Sequence, residues 1–451
     1  MPVGPANFSR RLKALEPPSR RNAARSTESQ RGYVPDIPEG AERLARILGA
    51  APQRNKFGEH VGLRRWFSEP VGGDTPDELP AGALRLLAPE APDCVADPRQ
   101  WLFLDTETTG LAGGTGTYPF LVGIAWWDAG GLEVEQFFLR EHSEEPSLLT
   151  ALAERMAERR VLVTFNGKSF DWPLLETRYR MTRTIRPSVP RVHLDFLHPA
   201  RNLWRLRLGS VRLAELERHV LGWDRGDDLI SELIPQTYFD YLRGGPPEPL
   251  VPIFRHNQMD LRGLAGLASR VLALLGNPEA HGQDALELFG VSRICERRGE
   301  AMRARALYER SIAQELPSDT DRAARRSLAR LAKRGGDLQA AREIWESMLG
   351  NSREGFEAYE QLAIYHEHQR EPHRAAMLVR KAIAELRKAN RLGVIASVAY
   401  GKQRERFEKR LARLERKAGR SLLDTMEAES RTPAAESNGK RTGGEFDGRN
   451  G

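Results

Sequence analysis

The stretch WLFLDTETTG, residues 101–110, decides how the chain is read. Trp101 to Asp105 is a continuous apolar run closing on an acid, the pattern of a buried central strand. A glycine-rich loop from Gly110 to Gly116 ends it. Side chains alternate along a strand, so Asp105 and Glu107 point to the same side, about 7 Å apart at Cα. Two carboxylates held this way repel unless a cation lies between them. Their hard oxygen donors suit Mg²⁺ or Mn²⁺. Taken alone, the same acids serve equally well as a turn feature at a strand end.

Working outward, FLVGIAWW (120–127) and LEVEQFFL (132–139) read as strands joined by a hairpin turn at 128–131. They are expected to be antiparallel, with the first strand in the same sheet. Helical spacing follows at Leu148–Met156, a strand at Val161–Phe165, a helix at Pro173–Met181 and a fifth strand at Val192–Phe196. Later helices are expected at Leu213–Leu221 and Pro252–Leu275. A three-strand meander, then helix, strand, helix, strand and helices, predicts an α/β RNase H-like mixed sheet domain over 95–276. A Rossmann order is excluded, because it needs a crossover helix after the first strand.

From about Ala285 the chain reads as all helical, which predicts an all-α helical-repeat domain over 285–418. ARALY (304–308), AREIW (341–345) and AAMLV (375–379) share small and large residues at matching places, each after a polar break. Their starts lie 341 − 304 = 37 and 375 − 341 = 34 residues apart, near the period of tetratricopeptide hairpins. A plain helical bundle is the alternative. RERFEKRLARLERK (404–417) is a very basic helix. Residues 1–38 read as a disordered basic tail and 39–94 as a loosely structured lead-in with a short amphipathic helix at Ala41–Leu48. Residues 419–451 read as a disordered tail.

The net charge of +7 favours a polyanionic partner, although part of the excess lies in the first 35 residues, where it reads as solubilising. Cys94 and Cys295 without any CxxC exclude a thiolate zinc site and suggest free thiols in a reducing compartment. No run of about 18 apolar residues exists, so no membrane span is expected. The absence of a signal-type apolar segment points to a cytoplasmic location.

Two further elements carry chemistry. In NGKSFDWPLL (166–175) a strand gives way to a helix. Asp171, two residues before Pro173, suits a helix N-cap or a metal ligand at the mouth of the sheet. Lys168 touches a phosphate or is solvated. In HNQMD (256–260), His256 and Asp260 share one helical face. Arg201, Arg205, Arg207 and Arg212 surround Trp204. They suit a single strand held by phosphate contact and base stacking, or form a solvated turn around a core tryptophan. Asp195 is either a support for the acids or a buried structural residue. The Gly113–Gly116 loop is no P-loop, because no GK[ST] follows.

Together these motifs resemble the DEDD exonucleases, the DnaQ-like group within the RNase H-like fold, and most closely its YprB-like branch. The resemblance is carried by DTETTGLAGGTGTYPF (105–120), QFFL (136–139), residues 166–175, LGWDR (221–225) and His256-Asn257…Asp260. It covers about residues 95–275, and helical repeats behind such a domain also fit that branch. It implies a metal-dependent 3′→5′ exonuclease acting on single-stranded 3′ ends of DNA or RNA. Asp105, Glu107, Asp171 and Asp260 would hold two Mg²⁺ or Mn²⁺ ions, with His256 accepting the proton of the attacking water. Thr108, Lys168, Arg201, Trp204, Arg205 and Arg207 would touch the nucleic acid, and the repeats a protein partner. One departure is visible: Asp260 follows His256 by four residues, the spacing of the subclass that carries tyrosine in that place. A nucleic-acid-binding scaffold and a structure-specific endonuclease on the same fold are the rival expectations.

Overall fold

A computed structural model describes residues 39–68, 71, 78–90, 93–110, 115–187, 189–226, 229–282, 284–349 and 356–430. The expectations for residues 1–38, Gly113, Gly114 and 431–451 lie outside the described residues. Helix α1 (Glu39–Leu48) leads into strands β1 (Ala51–Asn55) and β2 (Gly58–Phe67), then α2 (Ala81–Leu87). Strands β3 (Trp101–Thr108), β4 (Pro119–Asp128) and β5 (Gly131–Phe138) form the meander. Then come α3 (Glu145–Ala157), β6 (Val161–Thr164), α4 (Asp171–Thr182) and β7 (Val192–Asp195). Helices α5 (Leu197–Leu208), α6 (Leu213–Leu216), α7 (Ile234–Leu242) and α8 (Val251–Gly276) follow.

The seven strands form one mixed sheet in the order β1-β2-β5-β4-β3-β6-β7. The meander is antiparallel, as its short turn demands: Ala129 and Gly130 both take positive φ, the twist of a tight hairpin. β6 joins β3 in parallel and β7 joins β6 in parallel. The helices α3 and α4 supply the crossovers that parallel pairing requires. The expected RNase H-like mixed sheet is therefore present, with an all-helical region behind it.

β3 is apolar on both sides because both faces of the sheet are covered. Trp101 and Phe103 join Ala125, Trp127 and Val134 under α5 and α8. Leu102 and Leu104 join Ile124 and Phe137 under α3 and α7 on the opposite face. The first of these cores runs on, through Leu288, Val291, Cys295 and Tyr308, into the helices after residue 285. Cys295 is a buried free thiol.

Three local expectations are corrected. Residues 51–67, read as loose lead-in, form a hairpin that extends the sheet at β5. Only Val61, Gly62 and Leu63 at its centre, with His60, are buried, too short a run for an alternation signal. The arginine-rich segment after β7 is helix α5, not a turn. The chain also stays helical beyond Gly419, to Ser430.

The helical region continues through α9 (Pro278–His281), α10 (Ala285–Arg297), α11 (Ala301–Ala313), α12 (Ser318–Arg334) and α13 (Leu338–Ser347). It ends with α14 (Phe356–His368), α15 (Pro372–Arg391) and α16 (Ser397–Ser430). The three similar sequence segments fall on α11, α13 and α15, each the second helix of a packed pair. Ala304, Ala341 and Ala375 are fully buried there, where a small side chain lets helices approach closely. Each pair turns through a left-handed residue, Gly299, Gly336 or Arg370. Among the described residues no helix is long and apolar enough to cross a membrane.

Candidate metal centre and its supporting network

Central strand β3 ends where α8 crosses the sheet. There Asn257 Nδ2 donates to Asp105 Oδ2 at 2.8 Å. From the same helix, His256 Nε2 lies 3.3 Å from Asp260 Oδ2 and 4.0 Å from Glu107 Oε1. One ligand atom each from Glu107, His256 and Asp260 lie within 4.8 Å of one another. Asp171, at the start of α4, accepts a hydrogen bond from Thr106 Oγ1 at 2.5 Å.

The carboxylates are electrostatically uncomfortable. Burial, then the charges of Asp260 and Asp171, push Asp105 well above the usual carboxylate range. Burial raises Asp171 to about 6 against the pull of the Thr106 hydroxyl, and Asp195 and Asp260 add to the rise. Such a group of half-buried, mutually repelling acids is relieved by a cation, and their hard carboxylate oxygens suit Mg²⁺ or Mn²⁺. The donor set therefore fits divalent metal.

Two networks hold the acids in place. Gln258 Nε2 donates to Gln136 Oε1 at 2.7 Å, and Gln136 Nε2 donates to Asn257 Oδ1 at 2.7 Å and to the Phe254 carbonyl at 3.0 Å. Asn257 then spends its amide on Asp105. A Cβ at Gly123, the β4 residue opposite Asp105, would stand 2.1 Å from Asn257 Oδ1, so only glycine admits this network. On the other side, Arg225 Nη2 donates to Asp260 Oδ1 at 2.5 Å and to Glu217 Oε1 at 2.6 Å. Glu217 is fully buried and begins a π-helical turn, Glu217–Leu221. Its carboxylate packs where a Cβ at Gly263 would be, 1.6 Å away.

The other expected residues divide. Asp171 is not an N-cap: it is the first residue of α4, and Thr106 rather than a helix N–H takes its side chain. Asp195 is a clip, accepting from the backbone N–H groups of Asn166 (2.8 Å), Leu197 (3.0 Å) and Lys168 (3.2 Å). Thr108 donates to the Gly110 carbonyl at 3.0 Å and braces the loop after β3. Lys168, Arg201 and Arg205 are exposed. Trp204 is fully buried with its indole N–H on Glu287 at 2.8 Å, so it has no face to offer a base. Arg207 is tied to Asp284 at 2.9 Å and to Glu287 at 3.3 Å. Both residues join α5 to α10, and burial overrode the arginine-tryptophan pattern. Gly123, Glu217 and Gln258 carry no assigned role in the sequence, and Gln136 enters there only as the first residue of QFFL. Phe170 was also missed; it is 55% exposed beside Asp171, an uncommon setting for a phenyl ring.

A sequence profile of the RNase H superfamily matches residues 102–272, the span that holds β3 to α8. YprB of Bacillus subtilis (strain 168), an uncharacterized protein, is 32% identical over 323 residues, covering 70% of this chain and 74% of YprB. The chain belongs to the RNase H superfamily, in the family of YprB. Membership supports a nuclease-type function, hydrolysis of nucleic acid, in a superfamily that usually employs divalent metals. Within this RNase H-like domain, the converging acids stand at the end of its central strand.

Proposed function

We propose that this chain is a metal-dependent 3′→5′ exonuclease acting on single-stranded nucleic acid. The observation that carries the reading is the convergence of Asp105, Glu107, Asp171 and Asp260, with His256, at one strand end. The four carboxylates would hold two Mg²⁺ or Mn²⁺ ions, which supply an activated water and stabilise the leaving 3′ oxygen. Asn257 and Arg225 orient Asp105 and Asp260 before substrate arrives. His256 Nε2 takes up the proton of the attacking water; the four-residue step to Asp260 keeps both on one face of α8. Exposed Lys168 and Phe170 suit a phosphate and a base of the terminal nucleotide. The helix pairs α10–α15 would be tetratricopeptide-type repeats that dock a protein partner.

The test is degradation of 5′-labelled single-stranded DNA and RNA with Mn²⁺ or Mg²⁺, beside Asp105→Ala/Glu107→Ala. A ladder shortening from the 3′ end, absent in the variant and with EDTA, is expected. Internal cuts would replace the exonuclease by an endonuclease. Intact strands with binding retained would leave a scaffold.

A further inference from the structure

A cavity of about 380 Å³ opens beside the acids, on the adjoining face of α8. Arg65, Phe67, Trp223, Arg225, Arg255 and Arg262 line it. Four guanidinium groups thus meet two half-buried rings, Phe67 and Trp223, and the buried ring of Phe254, against one acid, Asp224, whose carboxylate accepts from the Gly226 N–H. Arg262 stands over both half-buried rings, 4.5 Å from the centre of Phe67 and 5.2 Å from that of Trp223. Arg65 and Arg255 are exposed and make no ion pair among the described residues. Arg225 is shared: it lines the cavity and also holds Asp260. The linear sequence hides the cluster, because it gathers β2, the segment after the π-helical turn and α8.

We infer that this cavity is a second subsite for the nucleic acid, holding a phosphate and a base of the strand one or more nucleotides away from the bond being cleaved. Guanidinium groups match phosphate oxygens, and aromatic faces stack any base without reading its identity. Their combination with low acid content selects a single-stranded polyanion over a neutral ligand. Continuity through Arg225 makes one path from the carboxylates into the cavity. The inference rests on the nuclease reading for its substrate, yet its test is separable from it.

The test uses the full chain and Arg65→Ala/Arg255→Ala, two exposed positions outside the catalytic group. Fluorescence anisotropy with labelled oligo(dT) and oligo(U) of roughly 12 nucleotides, in EDTA, reads binding without hydrolysis. The variant should bind about tenfold more weakly. The slope of log affinity against log salt should fall by about 0.7, the value for one lost phosphate contact on a single strand. Hydrolysis of the p-nitrophenyl ester of thymidine 5′-monophosphate with Mn²⁺ should be unchanged, because that substrate ends before the cavity. Equal affinity and slope in both proteins, or no binding by the wild type, would overturn the subsite. So would loss of ester hydrolysis in the variant, which would assign the arginines to the catalytic centre instead. Lack of all hydrolysis by the wild type, with the binding difference intact, would remove the nuclease reading and leave the subsite standing.

Discussion

Charged residues are used in opposite ways in the two halves of the molecule. In the sheet half, Glu217 and Arg225 are buried and paired directly behind Asp260. In the helical half, α16 lies along its neighbours through pairs whose guanidinium groups stand in solvent, such as Arg380–Glu415, Arg406–Glu360 and Arg413–Glu367. A buried ion pair loses much of its attraction to desolvation, so it adds little net stability, whereas breaking it is costly. An exposed pair is screened and replaceable. The first kind is therefore suited to placing a functional carboxylate, and the second to keeping helices soluble and in register.

The difference should appear directly in mutational cost. Arg225→Met leaves Glu217 buried without its guanidinium and should destabilise by about 3–5 kcal/mol in denaturant unfolding. A loss below about 1 kcal/mol would mean that water already reaches the pair and that the contrast is false. Asp171→Asn sharpens it from the other direction. The folded-state value of Asp171, about 6, lies above its ordinary 3.8, so the acid destabilises the metal-free fold as pH rises through that window. In EDTA the variant should gain at most about 2–3 kcal/mol at pH 8, with the gain vanishing near pH 4. A gain that does not change with pH would exclude this origin. With Mn²⁺ present the order should reverse, because a ligand of the ion is lost.

Gly123→Ala drives a methyl group into Asn257 and should cost about 1–3 kcal/mol. Its effect on hydrolysis should exceed its effect on the unfolding midpoint, since the displaced amide holds Asp105. Full activity in that variant would show that Asp105 needs no such support. Arg413→Ala, at the far end of the comparison, should change stability by less than about 1 kcal/mol and leave hydrolysis untouched.

The location expected for the boundary near residue 285 is instructive. Trp204 and Arg207 reach across it to Glu287 and Asp284, and one apolar core continues from the sheet into α10, α11 and α12. Composition changes there, but packing does not stop. The same contact explains why an arginine-tryptophan cluster looked like a strand-binding surface: sequence records which side chains are present, not which faces are covered.

By itself the sequence determined the central strands, their antiparallel turn, the helices that follow and the candidate ligands Asp105, Glu107, Asp171 and Asp260, with His256 as their candidate base. Apolar runs, turn residues and the one-turn step from His256 to Asp260 are properties of short segments, so they are legible in a single chain. Only the tertiary structure decided what surrounds those ligands. The amide relay through Gln136, Asn257 and Gln258, the space left by Gly123 and Gly263, and the arginine-lined cavity all join residues from separate elements of the chain. Such contacts depend on strand order and on where α8 crosses the sheet, and no local periodicity encodes them.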